Sequence, residues 1–156
     1  MDLARFGRHV LMHPIRQRRA FPRSTLDAIQ REITAQEKRH RGQLAFIVEA
    51  ELASSQLLRG LGSRDRARQV FAAHGVWNTE ENNGVLIYIL LAYRRVEIVA
   101  DRGIHARVKD GEWQEICRMM ERHFRGGEFE AGSIAGVRAV SDLLARHFPG
   151  DGSARA

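Results

Sequence analysis

The stretch that decides the fold is "NTEENNGVLIYILLAYRRVEIVADRG", residues 78–103. A polar, acidic loop leads into the apolar run Val85–Ala92, and a second apolar run, Val96–Ala100, follows after a short turn. An unbroken apolar run of this length cannot alternate between core and solvent, so it predicts a strand buried on both faces. The short turn predicts that the two strands pair as an antiparallel hairpin.

Helical and strand patterns lie on both sides of this hairpin. Gln43–Leu52 contains the apolar run of a further buried strand. Four helices are predicted: one capped by Ser24 and running to about His40, one capped by Ser63 and ending at Gly75, one over Trp113–Phe124, and one over Phe129–Phe148. Strands buried on both faces need helices on both faces, so the pattern predicts an α/β/α sandwich.

The formal charge of +6 is concentrated at the N-terminus, where residues 1–23 carry six arginines and one aspartate. One interpretation is an arm that touches phosphate or an anionic membrane surface. The other is a partly helical leader folded onto the domain, which the helical spacing of Leu3, Phe6, Val10 and Leu11 favours. No recognition-module signature follows, so nucleic acid is not an expected partner.

Length and composition predict one domain without a membrane span. The chain has 156 residues, and its longest apolar run falls far short of the roughly 20 residues that cross a bilayer. We expect a basic leader over residues 1–22, a domain over 23–148 and a flexible tail over 149–156. The single cysteine, Cys117, excludes an internal disulfide and suits a reducing compartment, so we expect a cytoplasmic protein with a packed, unreactive thiol.

Several segments together resemble the TPM domain family over roughly residues 23–148. They are Asn82-Asn83-Gly84-Val85-Leu86, the helix Trp113–Phe124, the junction Phe124–Phe129, and Gly132 with Gly136. Members include thylakoid-lumen proteins of plants and many bacterial proteins, often membrane-anchored; this chain looks like a short, soluble branch. The resemblance implies a sandwich around a mixed sheet of about four strands. It also implies the acid-phosphatase activity and divalent-cation binding attributed to some members.

The loop before the hairpin is the first candidate site. Glu80, Glu81 and Asn83 offer side-chain oxygens, and Asp101 closes the neighbouring strand. Strand pairing predicts that this loop and Asp101-Arg102 lie within about 10 Å of each other. Clustered oxygens of this kind suit Ca²⁺ or Mg²⁺, the only cofactors expected. The alternative is that Asn83-Gly84 forms a turn and the glutamates are simply solvated.

Asp101 and Arg102 are the candidate catalytic residues. Asp101 lies beyond the carboxyl end of a strand, where it can act as a metal ligand, a general acid or base, or a nucleophile toward phosphate. Arg102 can clamp a phosphoryl oxygen. Alternatively, Asp101 caps the following turn or pairs with Arg102 or Arg107. Glu49 and Glu51, at the end of the first predicted strand, are further candidates for the cation site.

Two functions remain open from the sequence. Many members of the resembled family have a Gly-Tyr-Gly-Leu-Glu-like run after the hairpin, where this chain has Asp101-Arg102-Gly103-Ile104-His105. This departure favours a non-catalytic module that uses the same loops to bind a partner protein, for example a membrane-protein complex. The alternative is a cation-dependent phosphoester hydrolase of low specificity.

Overall fold

The computed structural model describes residues 10–13 (main chain only), 19–52 and 60–151. Within these residues the elements are β1 (Val10–His13), α1 (Arg23–Gln36), β2 (Gln43–Glu49), α2 (Ser63–Ala73), β3 (Gly84–Leu90), β4 (Arg95–Ala100), α3 (Arg102–His105), α4 (Asp110–Arg125) and α5 (Phe129–His147). Single turns of 3-10 helix cover Glu37–Arg39 and Leu91–Tyr93.

The four strands form one mixed sheet in the order β1-β2-β3-β4. β1, β2 and β3 are parallel, and β4 runs antiparallel to β3 with Val85 opposite Ala100 and Leu90 opposite Arg95. The predicted hairpin is therefore confirmed, and β3 is a central strand as expected. All seven residues of β3 are buried, which is why its sequence shows no polar alternation.

Helices cover both faces of the sheet. Val85, Ile87 and Ile89 pack on the face covered by α1, α4 and α5. Leu86, Tyr88 and Leu90 pack on the opposite face, which α2 covers through Ala67 and Val70. Successive β3 side chains thus enter two separate cores, and the predicted α/β/α sandwich is confirmed.

The N-terminal leader contributes a strand where helical spacing predicted a helix. Val10–His13 pair in parallel with Phe46–Glu49, so the helical interpretation is wrong for these four residues. Without β1 the outer edge of β2 would present unpaired backbone groups, and satisfying them outweighs a weak local periodicity. Leu3, Phe6 and the arginines up to Arg18 lie outside the described residues.

Both serine caps predicted from the sequence are displaced by one or two residues. α1 has Pro22 at its N-cap, and Ser24 lies inside the first turn. Pro22 is a suitable start because its fixed φ suits entry into a helix. α2 has Gly62 at its N-cap, and the Ser63 hydroxyl instead donates to the Glu97 carboxylate at 2.5 Å.

The predicted tail is bound to the domain at its first two residues. Pro149 forms a β-bridge with His40, and the Gly150 N–H donates to the Arg39 carbonyl at 2.9 Å. The segment after α1 thus supplies backbone partners to these two residues, and the expected flexibility of the tail stays a prediction. Residues 152–156 are outside the described part of the chain.

Candidate functional site

The loop before β3 and the residues after β4 meet at one end of the sheet, hereafter the loop end (residues 77–83 and 101–103). The Asp101 N–H donates to the Gly84 carbonyl at 2.9 Å, and the Gly103 N–H donates to the Asn82 carbonyl at 2.8 Å. A Cβ at Gly103 would overlap the main-chain oxygens of Glu81 and Asn82. Direct hydrogen bonds therefore confirm the proximity that strand pairing predicts.

The loop end lies at the amino ends of the three parallel strands. Asp101 follows the carboxyl end of β4, but β4 is antiparallel to its neighbour. The carboxyl ends of β1, β2 and β3 are at the other end of the sheet. Asp101 is thus not at the crevice where open α/β sheets usually bind ligands, and that part of the sequence argument is wrong.

Asp101 is the N-cap of the short helix α3. Its Oδ1 accepts a hydrogen bond from the Arg102 N–H at 2.8 Å. Among the described residues no ion pair joins Asp101 to Arg102 or Arg107; Arg107 instead donates to the His147 carbonyl at 2.9 Å. The capping interpretation is therefore the one that the structure shows, with the Arg102 side chain exposed.

Glu81 is held by an arginine from the segment just before β2. Both carboxylate oxygens accept from Arg41, with Nε–Oε2 and Nη2–Oε1 distances of 3.0 Å. The hydrogen bond that Arg41 donates to Glu81 is the main reason that the pKa of the Arg41 guanidinium is raised. Arg41 also donates to the Pro149 carbonyl at 2.6 Å. Glu81 therefore joins the loop end to the C-terminal segment.

Asn83 has a structural role beneath the same loop. Its side chain is buried, and Nδ2 donates to the Arg41 carbonyl at 3.3 Å. Its own N–H donates to the Thr79 Oγ1 at 2.9 Å. Asn83 is thus a turn-stabilising residue, in line with the alternative interpretation of this loop, whereas Glu80 is exposed.

The four predicted metal ligands do not form an assembled cation site in this arrangement. Across residues 19–52 and 60–151, no group of three or more histidine, cysteine or acidic side chains is placed to hold a metal ion. Glu81 would have to leave Arg41 before it could coordinate, and one Asp101 oxygen is used by the helix cap. The side chains as placed do not fit a Ca²⁺ shell, which takes six to eight oxygens.

Glu49 is too far away to join the loop end. It is the last residue of β2 and lies opposite Leu90, whereas Gly84 lies opposite the first residue of that strand. A strand of this length separates the two ends by about 20 Å. Glu49 accepts hydrogen bonds from Arg66 at 2.8 and 2.6 Å and from the Tyr88 hydroxyl at 2.7 Å. The suggestion that it adds to the cation site is therefore wrong, and Glu51 is simply exposed.

The Glu49 cluster changes two ionisations. The hydrogen bond that Arg66 donates to Glu49 raises the pKa of the Arg66 guanidinium. Burial, followed by the hydrogen bond to Glu49, raises the pKa of the Tyr88 hydroxyl well above its ordinary range. Both groups keep their usual ionisation at neutral pH, so the cluster ties α2 to the sheet without an unusual protonation state.

A groove that sequence reasoning missed runs along β4 between α2 and α4, hereafter the β4 groove. Its volume is about 710 Å³, and its lining includes Arg64, Arg68, Arg95, Trp113, Cys117 and Arg118. The available signal was the i, i+4 spacing of Arg64 with Arg68 and of Trp113 with Cys117, which places each pair on one helix face. Nothing in the sequence alone indicates that the two faces border the same strand.

None of the helices in the described residues combines the length and apolar character that a membrane span requires.

Comparisons with known structures agree with this architecture. The BA42 protein of the psychrophilic bacterium Bizionia argentinensis is 28% identical with a TM-score of 0.71, over 81% of this chain and 82% of that one. The N-terminal domain of a P. gingivalis protein is 22% identical with a TM-score of 0.71, over 94% of this chain and 89% of that one. A domain of the Corynebacterium glutamicum protein cg2496 is 12% identical with a TM-score of 0.58, over 87% and 79% respectively, so these last two show the fold alone.

The sequence also matches a known protein family. Among curated proteins, none matches this chain. The family model described as the TPM domain matches residues 15–143. This match includes α1 through most of α5 and covers well over half of the chain, so the chain belongs to the TPM domain family.

Proposed function

We propose that this TPM domain is a non-catalytic binding module that contacts a partner protein through its loop end. The observation that carries the proposal is that polar groups predicted for catalysis or cation binding there already hold the fold together. Asp101 caps α3, Glu81 binds Arg41, and Asn83 supports the loop from below. A nucleophile or general base needs a carboxylate within reach of a substrate, and these bonds compete with that role.

The loop end also presents an aromatic side chain suited to protein binding. Trp77 has 54% of its surface exposed, although its Nε1–H is fixed by a 3.1 Å hydrogen bond to the Ala72 carbonyl. The N–H groups of Asn78 and Thr79 also make backbone hydrogen bonds within this turn. An exposed tryptophan with little freedom left to lose is a common centre of protein interfaces. Glu80 and Arg102 supply the charged rim that such interfaces usually have.

Site-specific crosslinking tests this surface. A photoreactive residue at Asn78, the exposed neighbour of Trp77, should capture a partner from extracts of the source cells, whereas one at Tyr93 should not. Tyr93 is a matched control because it is equally prominent, with 64% of its surface exposed, but lies in the turn at the opposite end of β3. With the captured protein purified, Trp77→Ala should weaken binding at least about tenfold. Equal capture at both positions would contradict the proposal.

The divalent cation is the second part of the proposal. Glu80 and Asp101 are the two predicted carboxylates that no described basic side chain pairs with. A Ca²⁺ or Mg²⁺ ion there would bind only the native protein and would raise the melting temperature by mass action. We expect a response only at millimolar cation, abolished in the double variant Glu80→Gln, Asp101→Asn. If the wild type shows no response, the cation site is rejected, and the proposed binding module is unaffected.

A further inference from the structure

The β4 groove is lined largely by charged side chains, and only some of them bind other groups of the protein. Glu97 accepts from Ser63 at 2.5 Å, and Glu121 accepts from the Val96 N–H at 3.0 Å. Asp110 lies 3.7 Å from His105 and is largely exposed. Two of the three acidic groups of the groove therefore bind other groups of the protein.

Two arginines that line the groove, one on each flanking helix, have no carboxylate partner among the described residues. Arg68 projects from α2 and Arg118 from α4, and both line the cavity. Within the described ranges neither forms an ion pair, and Arg118 makes only a 3.5 Å hydrogen bond to Gln114. The groove lining holds four arginines and three carboxylates, and an excess of positive charge in a concave surface raises the local concentration of anions.

Side chains close the free edge of β4 along the floor of the groove. The Val96 N–H is bonded to Glu121, the Ile98 carbonyl accepts from Arg64, and the Ile98 backbone interacts with the Cys117 sulfur. Such caps are a usual protection against the addition of another strand to a sheet edge. A ligand in the groove must therefore use the side chains of the walls and not the strand backbone.

We propose that the β4 groove binds an extended acidic segment of a partner protein, with its carboxylates on Arg68 and Arg118. The groove follows β4 from Arg95 to Ala100, which is about 17 Å and matches five or six extended residues. Its mainly polar lining excludes an apolar segment as the natural occupant. This site is separate from Trp77 and does not depend on the function proposed for the loop end.

The two tryptophans provide a direct readout. Trp113 lines the groove and Trp77 lies at the loop end, and the chain contains no other tryptophan. The probe is a six-residue peptide with four glutamates, titrated into ¹⁵N-labelled full-length protein. We expect the Trp113 indole resonance and the amides of β4 to shift while the Trp77 indole stays in place. The same peptide with glutamines should shift neither.

Matched arginine variants make the test specific. Arg68→Gln with Arg118→Gln should weaken peptide binding at least tenfold. Arg31→Gln with Arg125→Gln removes the same charge from exposed helix positions outside the groove lining and should leave binding unchanged. Amide spectra that otherwise superimpose show that the variants are folded.

Three outcomes would overturn the proposal. The first is that millimolar peptide leaves the groove resonances unmoved. The second is that both double variants weaken binding equally, which indicates unspecific attraction to positive charge. The third is that inorganic phosphate shifts the same resonances at lower concentration than the peptide, which would make the groove a small-anion site.

Discussion

Arg41 and Glu81, forty residues apart in the sequence, join the segment just before β2 to the loop end through two 3.0 Å hydrogen bonds. Arg41 continues to the Pro149 carbonyl and lies over the Phe148 ring at 5.9 Å from its centroid. Three distant segments thus meet at one guanidinium. A glutamate that the sequence suggested as a metal ligand is part of the connection that positions its own loop.

Glu81→Gln should lower the free energy of unfolding by a small but measurable amount, because the pair is bidentate but nearly half exposed. Urea denaturation measures the effect, which should shrink at high salt as screening weakens the pair. Glu80→Gln is the matched control: it changes the same charge in the same loop and should leave stability unaltered. Equal losses in the two variants would show that overall charge, and not the Arg41 bond, is responsible.

Removal of residues 1–13 should lower the free energy of unfolding by about 2 kcal/mol or more. The deletion removes β1, whose backbone pairs with four residues of β2, and each such hydrogen bond contributes about 0.5–1.5 kcal/mol net. Urea denaturation of the shortened and complete chains gives the comparison. A shortened chain of unchanged stability would contradict the assignment of β1 to the sheet.

The thiol of Cys117 should be slow to react. Burial raises its pKa to about 12, from an ordinary value near 9. Because the thiolate is the reactive form, iodoacetamide at pH 8 should modify the folded protein on the order of 1000-fold more slowly than the urea-unfolded protein. Mass spectrometry of timed samples measures this ratio, and comparable rates would refute the packed-thiol interpretation.

The same shift makes stability depend on pH in the alkaline range. Above about pH 9 the unfolded thiol loses its proton while the folded thiol keeps it. The contribution of this group is therefore complete below pH 9 and is lost as pH rises toward 12. Cys117→Ala should lose less stability than the wild type between pH 7 and pH 10.5 in urea denaturation. Parallel losses in the two proteins would show that the thiol does not titrate differently in the two states.

The parts of the fold that the sequence predicted are those set by continuous patterns. The apolar run Val85–Ala92 indicated a strand buried on both faces. Hairpin pairing alone was enough to predict that Asp101 lies next to Gly84. Local patterns were less decisive for β1. Val10 and Leu11 belong to a helical spacing that begins at Leu3, but β1 pairs with the edge of β2, more than thirty residues away in the sequence.

The chemistry of the candidate site was harder to predict because it depends on distant partners. No spacing connects Glu81 with Arg41, and the direction of β4 relative to β3 determines which end of the sheet Asp101 occupies. The β4 groove was missed for the same reason, since the two helices that border it, α2 and α4, are far apart in the sequence. The sequence thus indicated where polar side chains lie in the fold, but not which of them form hydrogen bonds or ion pairs with each other.

Hydrolysis of p-nitrophenyl phosphate by the wild type and by Asp101→Asn tests the central claim most directly. The assay runs from pH 5 to 8 with and without millimolar Mg²⁺ or Ca²⁺. Asparagine caps a helix about as well as aspartate, so the variant should keep its melting temperature and remain a fair comparison. The account of a binding module predicts no turnover above buffer in either protein. Cation-dependent turnover in the wild type that disappears in folded Asp101→Asn would contradict it and establish a hydrolase at the loop end.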